Sequence, residues 1–230
     1  MVQLDGIVFG PNGTCSAQSN WNKEILFQSQ SDLDQLNACT SFHGLININI
    51  TNSSSVTIPA GLTTIIGFLR VGGLVKNIEA DGLTKITTDE TMLETDNQGT
   101  LIVDGETSLS KLSFPKLADV ISIYMPFVSG LQIIDGFPTL SKVYFDLYLN
   151  GTFINVLFPN LKYVGVGFTV TSTDSNFQCP LGILQPGTFY RCGYTNNITE
   201  GVVPDPTMDV VPDPPIRSSA TKHLGISSEK

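Results

Sequence analysis

Apolar positions along this chain follow two periods, a strict alternation inside short segments and a recurrence of about twenty residues that links the segments. The long period is clearest in three copies of one motif: Phe114-Pro115-Lys116-Leu117, Phe137-Pro138-Thr139-Leu140 and Phe158-Pro159-Asn160-Leu161, 23 and 21 residues apart. Weaker copies precede them in Ile58-Pro59-Ala60-Gly61-Leu62 and Ala80-Asp81-Gly82-Leu83. Leu83 and Leu117 are separated by 34 residues, so one coil carries an insertion, placed between Thr87 and Gly99 where Thr, Asp, Glu and Asn crowd together. Such a period predicts a solenoid in which each repeat is one coil that buries its apolar face only against its neighbours.

The short period identifies the strands. Gly44-Leu45-Ile46-Asn47-Ile48-Asn49-Ile50 alternates Ile with Asn, so one row of side chains faces a core and the other faces water. Gly99–Val103, Val120–Ile123 and Gly165–Val170 read as further strands of about five residues. One strand per coil, always in the same sense, predicts parallel ladders with about 4.8 Å between coils. Asp81-Gly82, Asp104-Gly105 and Asp135-Gly136 are expected to form turns, Gly taking positive φ and Asp bonding its own backbone. At the N-terminal end, Ile25-Leu26-Phe27 reads as a strand and Ser31-Asp32-Leu33-Asp34-Gln35-Leu36 as a short capped helix that covers the first open edge. The fold class is therefore all-β, a parallel β-helix with a short N-terminal capping helix, divided into an extension (1–11), the solenoid (12–199) and a Pro-rich tail (200–230).

Composition narrows the function classes. The chain has 230 residues, 41% of them hydrophobic and only 14% charged, enough to bury a sizeable core. A net charge of −9 excludes the basic footprint of a nucleic-acid-binding protein. No apolar run is long enough to span a bilayer.

Four cysteines stand in two groups, Cys15 with Cys39 and Cys179 with Cys192. With five or six coils between the groups, they lie roughly 25 Å apart or more, beyond the reach of a disulfide. The pairs should be Cys15–Cys39 and Cys179–Cys192, each closing a terminal cap and implying an oxidising compartment. With only His43 and His223 and no CxxC, a zinc site is not expected, nor is any cofactor. Five N-glycosylation sequons, at Asn12, Asn49, Asn52, Asn150 and Asn197, point to the same compartment, although a chain this rich in Asn, Ser and Thr produces several by chance.

The run Ser29-Gln30-Ser31-Asp32-Leu33-Asp34-Gln35-Leu36-Asn37-Ala38-Cys39, followed by a Gly-led strand and the FPxL coils, resembles the fungal GPI-anchored cell-wall organisation proteins built from receptor L-domains. The resemblance covers roughly residues 12 to 195. It implies a right-handed parallel β-helix with leucine-rich-repeat character and an extracellular glycoprotein of the plasma membrane or wall. It also implies a role in wall integrity, no catalytic activity, and wall glycan or surface proteins as partners. The chain opens Met1-Val2-Gln3-Leu4-Asp5 without an apolar leader core and ends Gly225-Ile226-Ser227-Ser228-Glu229-Lys230 without a hydrophobic tail, so GPI anchoring rests on the resemblance alone.

From Glu200 onward Val203-Pro204-Asp205-Pro206 and Val211-Pro212-Asp213-Pro214 repeat a stiff tetrapeptide in a segment without aromatic residues, which reads as an extended or disordered tail serving as a spacer. Because parallel β-helices also act on polysaccharides, Asp104, Glu106, Asp119, Asp135 and Asp146 are the carboxylates to test for an acid–base pair. No His or Arg lies near them in sequence. A third reading is glycan binding through aromatic side chains, with Tyr144, Phe145, Tyr148, Phe153 and Phe168 as candidates, although their alternation favours core stacking. Trp21 is expected under the N-terminal cap.

Overall fold

A computed structural model describes residues 6–17, 24–51, 55–88, 100–104, 109–180, 184, 186 and 188–203. The chain winds as β1 (Ile7–Phe9), β2 (Thr14–Ala17), β3 (Glu24–Phe27), the single helical turn α1 (Gln30–Leu33) with a 3₁₀ turn at Asp34–Ala38, β4 (Ser41–Ile50), β5 (Ser55–Thr57), β6 (Thr64–Gly73) and β7 (Asn77–Glu79). It continues through β8 (Lys85–Thr87), β9 (Thr100–Val103), β10 (Lys111–Ser113), β11 (Asp119–Val120), β12 (Ser122–Val128), β13 (Ile133–Ile134) and β14 (Lys142–Val143). The last coils are β15 (Asp146–Gly151), β16 (Asn155–Val156), β17 (Tyr163–Val164), β18 (Gly167–Ser172), β19 (Phe189–Tyr194) and β20 (Asn197–Val202).

These strands form a parallel β-solenoid of three faces. The first face stacks β2, the start of β4, the start of β6, β8, β11, β14 and β17. The second stacks β3, the ends of β4 and β6, β9, β12, β15, β18 and β19. A third, shorter face carries β5, β7 and β10, then β13 and β16. One backbone ladder records the winding: the N–H groups of Thr40, Thr63, Thr84, Ala118, Ser141 and Lys162 each donate to the rung before, down to the carbonyl of Gly13, at 2.7–2.9 Å. These seven rungs are about seven coils.

The FPxL motif sets the corner that precedes each rung. The N–H groups of Leu117, Leu140 and Leu161 donate to the carbonyls of Phe114, Phe137 and Phe158, and the weaker copies repeat this at Leu62 to Pro59 and Leu83 to Ala80. Each Leu is buried, and Cys39 holds the same position in the first coil. The three Phe rings pile along the axis, with centroids 5.5 Å apart from Phe114 to Phe137 and 5.7 Å from Phe137 to Phe158. Ile58 and Ala80 precede Phe114 at the equivalent register position in the earlier coils, so the aromatic stack belongs to the C-terminal half.

Between the first and second faces the chain bends, and the bend departs from the sequence reading. In β4 and β6 it falls at Gly44 and Gly67, which stack in register with φ of 140° and 143°. A Cβ on Gly67 would overlap the carbonyl oxygen of Gly44, so both conformation and space require glycine. Later coils break at this point: the expected strand Val120–Ile123 divides into β11 and β12 at Ile121, and the expected Gly165–Val170 begins at Gly167. The segments on either side of the corner pair in separate ladders.

The Asp-Gly reading also needs correction. Asp81-Gly82 does turn, but neither Gly82 nor Gly136 has positive φ, and Asp135-Gly136 forms no turn and leads from β13 into the Phe137 corner. Glycine is required there by close approach, since a Cβ on Gly82 would overlap the Ala60 carbonyl. Asp104 is engaged elsewhere, as described below, and Gly105 lies outside the described residues.

Both ends are closed as the sequence indicates. β3 and β2 cover the first edge of β4, and β1 adds antiparallel to β2. Ser29 caps α1 by accepting the Asp32 N–H at 3.2 Å. Cys15–Cys39 ties β2 to the first corner, with Cα atoms 5.6 Å apart. At the other end β20 folds back antiparallel onto β19, and Cys179–Cys192, with Cα atoms 5.8 Å apart, ties the preceding loop to β19. The ordered strands thus begin at Ile7 and reach Val202. Most of the inserted stretch 87–99, Trp21, and residues 204–230 of the tail lie outside the described residues.

Candidate binding surfaces

The second face presents one outward row in register across its coils: Leu26, Asn47, Arg70, Ile102, Tyr124, Tyr148, Thr169, Arg191 and finally Glu200 on β20. Period-2 alternation puts these positions on the outer side of the sheet, where Ile102 alone is buried, and parallel pairing sets each one directly over the next. Three interactions organise the row. Glu24 accepts a hydrogen bond from the Asn47 amide. Arg70 makes a bidentate contact with Asp104, Nε to Oδ2 at 2.8 Å and a second nitrogen to Oδ1 at 3.1 Å. That hydrogen bonding raises the guanidinium above its ordinary value, with burial opposing. Tyr124 and Tyr148 stack with ring centroids 4.8 Å apart and planes 25° from parallel.

Beyond Tyr148 the row drops to the small Thr169 before rising again at Arg191, which is ion-paired to Glu200 at 3.2 Å. The step leaves a slot of about 250 Å³ lined by Tyr148, Asn150, Thr169, Thr171, Arg191 and Ile198. A bulge adjoins it: Met125 pairs with Leu149 and Val128 with Gly151, so Pro126 and Phe127 together oppose the single residue Asn150. Phe127 is 70% exposed and holds φ of 57°, an uncommon backbone for an aromatic residue.

A second surface lies on the bend of the last coils. Tyr144, Phe145, Tyr163 and Val166 are all exposed, and Tyr144 meets Tyr163 edge to face at 6.4 Å. The five aromatic candidates therefore divide. Phe153 and Phe168 are fully buried, as core stacking requires, whereas Tyr144 and Phe145 are exposed and Tyr148 is half-buried. The alternation argument fails for the adjacent pair Tyr144-Phe145 because both sit on the outside of a corner, where the two-residue period is interrupted.

The third face holds a cavity of about 600 Å³ between β10 and β13, lined by Lys111, Leu131, Gln132, Ile133 and Asp135. It opens where β10 pairs only with β7 and β13 only with β16. Lys111 is turned away to Glu79 at 2.9 Å, and this contact raises its ammonium above the ordinary value.

The four described candidate carboxylates stand on different elements. Asp104 follows β9 and is held by Arg70, Asp119 opens β11 between Lys85 and Lys142, Asp135 follows β13, and Asp146 opens β15. Asp146 is raised above its ordinary value by desolvation, with the Gly167 N–H hydrogen bond opposing. Glu106 lies outside the described residues. Sequence proximity missed the Arg70–Asp104 pair because a coil containing the insertion separates the two by 34 residues while stacking them on neighbouring strands.

Among the described residues, no cluster of His, Cys, Asp and Glu is arranged to hold a metal ion, and no helix is long and apolar enough to cross a membrane. All four described sequon asparagines reach the surface: Asn12 in a tight turn at φ of 57°, Asn49 on β4, Asn150 on β15 and Asn197 at the start of β20. Asn52 lies outside the described residues. No protein-family model, curated protein or solved structure matches the chain.

Proposed function

We propose that this chain is a non-catalytic extracellular glycoprotein of the fungal cell surface or wall, whose rigid solenoid contributes to wall organisation and integrity. The observation that supports this reading most directly is the pair of local disulfides, Cys15–Cys39 and Cys179–Cys192, one at each end of the coil stack. Such bonds persist in oxidising compartments, and each contributes about 3 kcal/mol on chain-entropy grounds. Surface sequons at both ends and on the second face agree with it. GPI attachment follows from the resemblance of residues 12–195 and belongs to the same proposal.

The test is secretion from a fungal host behind an added signal peptide, followed by mapping of disulfides and occupied asparagines by mass spectrometry, and deletion of the gene in its host. Both local pairs, occupied sequons and a wall-stress phenotype are expected. Free thiols and empty sequons in a folded product would overturn the proposal.

A second reading, contact with wall polysaccharide, is favoured by the exposed ridge of Tyr144, Phe145, Tyr163 and Val166. Flat apolar rings at a corner can pack on the C–H faces of sugars, and the −9 chain charge disfavours acidic glycans. Sedimentation with insoluble β-glucan or chitin, lost in Tyr144→Ser with Phe145→Ser, is its test. Release of reducing sugar from either polysaccharide would instead point to a degrading enzyme.

A further inference from the structure

We propose that the slot on the second face is a docking site for the chain's own N-linked sugar: the first N-acetylglucosamine on Asn150 packs against the Tyr148 ring. The inference rests on the extracellular reading above and goes beyond it by giving one sequon a structural task.

Four observations carry it. Tyr148 precedes Asn150 by two residues on β15, so both side chains project from the same side of the strand. None of the other described sequons has an aromatic residue at that offset, where Gly10, Asn47 and Thr195 stand instead. Asn150 itself lines the slot, and the small Thr169 and Thr171 beyond it leave room before Arg191 and Ile198. Across the bulge, exposed Phe127 occupies the position opposite Asn150 on the β12 side, so Asn150 is flanked by an aromatic residue there as well.

The chemistry fits a neutral sugar. N-acetylglucosamine offers a C–H face to an aromatic ring and hydroxyl and acetamide groups to Thr169, Thr171 and Arg191. Arg191 is already neutralised by Glu200, which disfavours an anionic occupant. The sequon's Thr152 hydroxyl donates to the Ser129 carbonyl at 2.6 Å, fixing the turn beside the attachment point in the folded chain.

The experiment uses secreted full chain. Site-by-site occupancy is measured first, and melting temperature is then compared for intact protein, protein trimmed to a single N-acetylglucosamine, and fully deglycosylated protein, in wild type, Tyr148→Thr and Phe127→Gly. Trimming to one sugar should leave wild type unchanged, and full removal should lower its melting temperature by about 2–4 °C. In Tyr148→Thr, full removal should produce little change. Equal shifts in wild type and Tyr148→Thr would overturn the inference, and the wild-type comparison needs no mutation. Asn150 empty while Asn12, Asn49 or Asn197 is occupied would overturn it and leave the extracellular reading standing. Every sequon empty would overturn the inference, and free thiols in addition would overturn the extracellular reading with it. Retention of Asn150→Gln protein on chitin through Tyr148 would assign the slot to an external polysaccharide and likewise overturn it.

Discussion

The Gln30 side-chain amide acts as a missing strand for Thr57, donating from Nε2 to the Thr57 carbonyl at 2.8 Å and accepting the Thr57 N–H on Oε1 at 2.9 Å. Thr57 belongs to β5, whose other edge pairs with β7. The first strand of the third face would otherwise present an open ladder, and one polar side chain from α1 closes it. Nε2 also donates to Asp34 Oδ1 at 2.9 Å, which fixes the amide in place.

Replacing Gln30 by Ala removes all three bonds from a partly exposed site, where water takes over some of the loss. A destabilisation of about 1 kcal/mol is expected in urea unfolding. Gln30→Glu should cost more, because a carboxylate faces the Thr57 carbonyl without a donor. Equal stability of all three proteins would show that the edge needs no cap.

The aromatic column makes a larger claim. Phe137 is fully buried between Phe114 and Phe158, so Phe137→Ala loses ring contacts on both sides and leaves a cavity that a stack of rigid coils cannot collapse. The expected cost is about 3–5 kcal/mol, and Phe137→Leu should cost markedly less. In proteolysis, Phe137→Ala should expose the C-terminal coils before the N-terminal ones, since the equivalent positions there are held by Ile58 and Ala80. Uniform opening along the chain would argue against nearest-neighbour stacking as the source of stability.

How much of this was legible depended on whether a feature was periodic. Phe114, Phe137 and Phe158 with their following leucines repeat at coil length, so the solenoid and its buried column could be read directly. The cysteine pairing followed, because a stacked fold keeps Cys39 and Cys179 apart. The corners were not legible. Ile121 and Tyr144-Phe145 continue the apolar composition of their neighbours while the backbone turns, and no local signal separates a bent strand from a straight one. Contacts across coils were equally hidden: Gln30–Thr57 and Arg70–Asp104 span 27 and 34 residues. The Asn150 slot combined both difficulties. Its sequon was evident, but the flanking bulge at Phe127 and the small Thr169 acquire meaning only in register.

Gly67 separates two kinds of glycine. Gly67→Ala must adopt φ near 143° with its Cβ against the Gly44 carbonyl, so loss of folded, secreted protein is expected. Gly61→Ala meets only the Asn37 and Cys39 carbonyls at 3.7 Å and has no positive φ. That variant should match wild type or gain about 0.4–1 kcal/mol through a less flexible unfolded chain. Secretion yield and melting temperature distinguish the cases, and a well-folded Gly67→Ala protein would refute the stacked-bend geometry.

Asp146 gives the solenoid a specific acid response. Its side chain is exposed over much of its surface, yet its neighbours remove enough solvent to raise the carboxyl above the ordinary 3.8, partly offset by the Gly167 N–H. The folded state therefore binds this proton more tightly than the unfolded state. Between 3.8 and the folded value, folding takes up a proton, so the Asp146 contribution to stability is fully present below 3.8 and declines as pH rises through the folded value. Asp146→Asn removes the titrating group and keeps a side chain of similar size. The variant should be more stable than wild type at pH 7, by no more than about 0.5 kcal/mol after solvent screening, and the difference should shrink as pH falls below 4. Chemical unfolding at several pH values measures it directly. A wild-type advantage at pH 7 would mean that the Gly167 hydrogen bond outweighs desolvation, reversing the sign of the Asp146 contribution.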